Sequence, residues 1–96
     1  MMLHLLNRSP RSTATYQDLS EAFGSGDHLL LIEDACYAAQ VSASAVLEPF
    51  GGRVSVLQED LVSRGLAARI DPSVGVIDMN GFLALTETHE RCVSWF

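Results

Sequence analysis

Lysine is absent from this chain, so all six basic residues are arginines, and they stand against twelve acidic residues for a net charge of −6. A surface of that sign repels phosphate backbones, so direct binding to nucleic acid is not expected. Cysteine is scarce as well. Cys36 and Cys92 are too few for a disulfide framework, and no CxxC pair or Cys/His cluster offers a metal site. The three histidines, His4, His28 and His89, never fall at a ligand spacing such as i, i+4. A long apolar run is also missing. Met1 to Leu6 stops at Asn7-Arg8, too soon for a membrane span, and no cleavage site of small residues follows. No Ser-His-Asp arrangement or dinucleotide fingerprint is present. Gly24-Ser25-Gly26 and Gly51-Gly52 each follow a helical stretch and lead into a strand, so they read as helix stops, not phosphate cradles. The expectation is a cytoplasmic chain with reduced thiols, no cofactor, no metal and no membrane contact.

What is present is apolar surface. Hydrophobic residues make up 48% of 96 residues, and mean hydropathy is +0.19. A chain this short forms one domain, here residues 1–96, and buries roughly 60–65% of its unfolded surface. The apolar surplus points to a subunit interface.

Short apolar runs alternate with amphipathic stretches, as in parallel strands joined by crossover helices. Strands are expected at Met2–Leu6, Leu29–Ile32, Arg53–Leu57, Val74–Ile77 and Cys92–Phe96. Helices are expected at Thr15–Phe23, capped by Thr13 or Thr15, at Tyr37–Phe50 with Pro49 disturbing its last turn, and at Leu61–Gly65. A last helix, Asn80–His89, takes Asp78 as its cap and turns Phe82, Leu83, Leu85 and Thr86 inward. The fold class is α/β: a small three-layer α/β/α sandwich around a mostly parallel sheet of about five strands.

Cys36 is the first candidate for chemistry. It follows the second strand, at the sheet edge where α/β proteins gather their ligands, and a helix starting at Tyr37 would place the thiol near a helix dipole. Glu33 and Asp34 oppose a thiolate there, so a small packed hydrophobe is the plainer reading. Cys92, three residues before Trp95, reads as buried packing. The histidines read as hydrogen-bonded members of apolar elements, with His4 and His28 close to an interface. Glu33-Asp34 and Glu59-Asp60 end adjacent strands and should cluster on one edge, as caps and solvated turns rather than an acid/base pair. Arg8, in Asn7-Arg8-Ser9-Pro10, reads as a turn residue whose planar fork could also hold an anion or a partner's carboxylate.

Taken in order, Met2-Leu3-His4-Leu5-Leu6-Asn7-Arg8-Ser9-Pro10 resembles the opening of the TusB/DsrH proteins. So do Leu30-Leu31-Ile32-Glu33-Asp34 with Ala38-Ala39, and Val56-Leu57-Gln58-Glu59-Asp60-Leu61 with Arg64-Gly65-Leu66. Ile77-Asp78-Met79-Asn80-Gly81-Phe82-Leu83-Ala84-Leu85-Thr86 and Trp95 complete a colinear set over almost the whole chain. The resemblance implies a subunit of a cytosolic sulfur relay, joined with TusC-like and TusD-like subunits in a heterohexamer that serves 2-thiolation of the tRNA wobble uridine. Self-association remains open to the isolated chain. In the family the relay cysteine belongs to the TusD-like partner, which implies a supporting subunit here. The alternative is that Cys36 itself carries persulfide sulfur, as a sulfurtransferase or in a DsrH-like role in sulfur oxidation. Two departures stand out. The family's turn after strand two usually reads Asp-Gly, whereas this chain has Asp34-Ala35. The DsrH branch tends to carry a thiol in the first helix, and Thr15–Phe23 has none, which tilts the resemblance towards TusB.

Overall fold

A computed structural model describes residues 1–96. Five parallel strands, β1 (Met2–Leu6), β2 (His28–Leu31), β3 (Val54–Leu57), β4 (Gly75–Ile77) and β5 (Arg91–Trp95), form one sheet in the order β4-β3-β2-β1-β5. The expected strands and the three-layer arrangement are borne out, with shifts of one residue at several boundaries.

The layering follows from handedness. From β1 to β4 the chain steps across the sheet in one direction, and right-handed crossovers put the intervening segments on one face. These are α1 (Thr13–Ala22), three 3₁₀ segments (Glu33–Ala39, Ser44–Phe50 and Ala67–Arg69) and α2 (Gln58–Ser63). The last crossover returns past three strands to place β5 outside β1, so α3 (Met79–Thr88) lies on the opposite face. Leu6, Leu29, Leu31, Val54 and Val56 face the first layer and share its core with Tyr16, Leu19, Cys36, Leu47, Phe50 and Leu61. Leu3, Leu30 and Leu57 alternate to the other face and are buried there. Strands β2 and β3, covered on both sides, read as continuous apolar runs for this reason.

The helix expected over Tyr37–Phe50 does not form. Two 3₁₀ segments replace it, separated at Gln40, which is extended and pairs with Ile70, while Val41 N–H donates to the Arg69 carbonyl. Ser42 and Ser44 favour local side-chain bonds over helix continuation, and Pro49 lacks the N–H that a last α-turn needs. Other boundaries move less. α1 begins at Thr13 behind Ser12, which makes no side-chain cap bond. α2 starts at Gln58, so Glu59 and Asp60 occupy its first turn, where the dipole favours them. Asp78 caps α3 as expected, its Oδ1 accepting from Gly81 N–H at 2.9 Å. Of the four residues expected inward on α3, Phe82 and Leu85 are half-buried, Thr86 is exposed and Leu83 is 54% exposed. No residue of α3 is fully buried, because one helix spans a sheet face it cannot cover.

Strand β1 carries a buried polar chain. Trp95 Nε1–H donates to His4 Nδ1 at 3.1 Å, which assigns the other proton to Nε2, and Nε2–H donates to Asp27 Oδ2 at 2.8 Å. Asp27 also accepts from Met2 N–H and Gly24 N–H, both at 2.9 Å. His4 is therefore interior rather than at an interface, with Phe23 at 5.2 Å between ring centroids and Phe50 stacked edge-on behind it. Burial alone would raise the Asp27 carboxyl, but the bonds from His4, Gly24 and Met2 outweigh it and hold it at about 2. The stability this carboxylate contributes is full above the ordinary carboxylate range and is lost as pH falls through about 2.

Replacing Asp27 with Ala orphans the buried His4 Nε2–H and the part-buried Met2 and Gly24 N–H groups. The expected cost is about 2–4 kcal/mol in urea unfolding at neutral pH, together with loss of part of the acid-denaturation limb.

Candidate functional site

The carboxyl ends of the strands carry the candidate residues. After β2 the chain turns at Glu33, whose φ of 50° is left-handed and unusual for a side chain of this type. The turn is held from outside: Glu33 N–H donates to Asp60 Oδ2 at 2.7 Å, and Asn7 Nδ2 reaches Glu33 Oε2 at 3.4 Å. Because Glu33 takes the left-handed conformation, Ala35 does not need it. It sits fully buried with its N–H on the Ile32 carbonyl, which is how the chain accommodates alanine in this turn.

Cys36 follows inside the 3₁₀ segment, not at an α-helix N-terminus, so the expected dipole assistance is absent. Its side chain is 0% exposed, and Sγ lies 4.0 Å from the Leu31 carbonyl oxygen. Burial pushes the thiol up to about 12. Asp60 adds to the rise, Arg64 works against it, and Asp34 adds again. Arg64 is the one cation acting on the thiol, and it is already engaged with Asp34, Nη2 to Oδ1 at 3.2 Å and Nε to Oδ1 at 3.4 Å. Nor does Tyr16 act as a base. Its hydroxyl donates to the Arg8 carbonyl at 2.7 Å, and burial, then Cys36, raise its pKa.

The two acidic pairs do meet on one edge, as expected. Asp60 caps the Glu33 turn, and Glu59 Oε2 accepts from Met79 N–H at 3.2 Å, linking the first turn of α2 to the start of α3. They act as turn caps. A cavity of about 440 Å³ lies nearby, lined by Ser9, Pro10, Arg11, Asp34 and Tyr37, and Cys36 is not part of its wall. Arg8 is exposed on this side and offers only its carbonyl, to Tyr16. No group of three His, Cys, Asp or Glu side chains converges to hold a metal ion.

Cys92 corrects its reading. It lies on the edge strand β5, on the face that α3 leaves open, and is exposed. The expectation failed because a thiol near a tryptophan looks like core, yet in β5 Trp95 points to the first face and Cys92 to the second. Asp27 and Arg64 were the residues sequence reasoning overlooked. Asp27 had a faint signal, a lone acid between a glycine stop and an apolar strand. Arg64 had none, since its partner Asp34 is thirty residues away.

Comparison with known proteins agrees with this arrangement. A family model described as "DsrH like protein" matches residues 8–92. The chain belongs to the DsrH-like family. Among curated relatives, Protein TusB of Escherichia coli O1:K1 is 38% identical over 97 residues, covering 98% of this chain and 100% of the relative. Protein TusB of E. coli strain K12 (DH10B) is 37% identical with the same coverage. The matched residues run from the Arg8 turn to Cys92, so Cys36 and its acidic surroundings lie within them. No helix of the chain is long and apolar enough to cross a membrane.

A thiol-specific disulfide reagent is expected to find one reactive cysteine in the native chain and two in denaturant. Cys92→Ser should abolish the native reaction and Cys36→Ala should leave it unchanged.

Proposed function

We propose that this chain is a supporting subunit of a cytoplasmic sulfur-relay complex of the TusB kind, acting in 2-thiolation of the tRNA wobble uridine without carrying the sulfur itself. It is a single domain that joins TusC-like and TusD-like subunits in a heterohexamer, with the persulfide held on the TusD-like partner. The kinship with proteins named TusB supports the pathway. The observation that carries the supporting role is the 0% exposure of Cys36, which no persulfide donor or acceptor can reach. Burial outweighs what Arg64 does to lower its pKa, and that cation is already engaged with Asp34.

The surface of α3 supports the same reading. Met79 at 45% and Leu83 at 54% exposure stand outward on a helix with no buried residue, and Phe96 beyond β5 is 61% exposed. Apolar surface of this kind marks a contact between subunits. The tRNA is reached through the complex, since this chain's own charge is −6.

Reconstitution with the partner subunits separates a supporting subunit from a carrier. Cys36→Ala should leave tRNA thiolation within about twofold of wild type, whereas a loss of tenfold or more with the complex intact would make Cys36 the carrier. Leu83→Glu should weaken assembly by at least about tenfold while the isolated chain stays folded, because it buries a charge at the contact.

A further inference from the structure

Two of the three histidines meet at the seam between α3 and the sheet. His28 opens β2 on the face that α3 covers, and His89 follows the last turn of α3, just before β5. Their ring centroids are 6.2 Å apart and tilted by 53°. Each ring is fixed through one nitrogen. His28 Nε2 lies 2.8 Å from the hydroxyl of buried Ser55, and His89 Nδ1 lies 2.8 Å from the Leu85 carbonyl and 3.2 Å from Thr88 Oγ1. We propose that His28 and His89 form an acid-sensitive latch, which holds the end of α3 and the start of β5 against the sheet at neutral pH and releases them when both imidazoles take up a proton.

The charges around the pair give the latch its direction. Burial opposes charging of His28, and so do His89 and Arg53, which are cationic when charged. No carboxylate offsets them. Asp27, the neighbour of His28 in sequence, spends its oxygens on His4, Met2 and Gly24. Glu87 and Glu90, either side of His89, are exposed. The penalty on the closed state arises once both rings carry charge 6.2 Å apart. Because the folded state lowers the affinity of His28 for its proton, the opened form binds that proton more readily. The closed latch is therefore fully stable above the ordinary imidazole range and weakens as pH falls below it. The element released is also weakly held, since α3 contributes no buried side chain. It carries the outward Met79 and Leu83, so acid would loosen the most apolar exposed helix of the chain.

Amide hydrogen exchange on the full chain, corrected for intrinsic rates, tests the latch between about pH 7.5 and about pH 5.5, a window in which histidines titrate and most carboxylates do not. Protection over Leu85–His89 and the first residues of β5 should fall roughly three- to tenfold more than protection of β1 to β3. His28→Gln keeps an amide for Ser55 and His89→Gln keeps the chain length, and either should remove this difference. Unchanged protection in wild type, or a difference that survives both substitutions, would overturn the proposal. Titration of the wild-type imidazoles by NMR checks the same point without substitution: His28 must titrate below the ordinary histidine value, and an ordinary value would also overturn it.

Discussion

The chain Asp27–His4–Trp95 is the contact on which the rest of this small fold depends. It joins three places far apart in sequence: the loop after α1, the strand β1 next to the sheet edge and the edge strand β5. Strand β5 has only β1 as a neighbour and enters the sheet after a crossover past three strands. Its return carries a loop-closure cost, which the part-buried indole-to-imidazole bond helps to offset from 91 residues away. The pattern also fixes charge. Trp95 leaves His4 no room for a proton on Nδ1, so the buried unit is one neutral ring and one carboxylate with three donors, satisfied at every atom.

With β1 and β5 fixed in this way, the two faces of the sheet differ. Five crossover elements crowd the first face and bury Cys36 in its core, while one thin helix spans the second. The Cys36 thiol in the crowded layer is closed off from solvent, and the one cation acting on it is paired with Asp34. Its proximity to the carboxyl ends of the strands therefore does not make it a reactive group. The surface that the second layer leaves exposed is apolar, and it is the part of the molecule that asks for a partner. One asymmetry of topology thus accounts both for the inert cysteine and for the unpaired surface.

Much of this was legible from residues. Strand periodicity, the Asp78 cap and the meeting of the two acidic pairs all rest on local chemistry, and each is found where expected. The failures have a common cause, which is contact at long range. The helix expected over Tyr37–Phe50 gives way to two 3₁₀ segments because Gln40 pairs with Ile70, thirty residues on. Cys92 is exposed and His4 buried because of which face each occupies, and the face of β5 follows from its register with β1, not from its composition. Arg64 and Asp27 matter through partners that no spacing rule connects to them. The electrostatic case against Cys36 was visible in Glu33 and Asp34. Its depth was not, since burial depends on three elements folding over it.

The central claim is that sulfur passes through the complex without resting on this chain. The most direct measurement supplies a persulfide donor to the assembled complex, stops transfer with an alkylating agent and locates the added sulfur by intact-mass analysis of each subunit. The expected result is added sulfur on a partner subunit and none on this one. A persulfide on Cys36 at a level matching turnover would contradict the account.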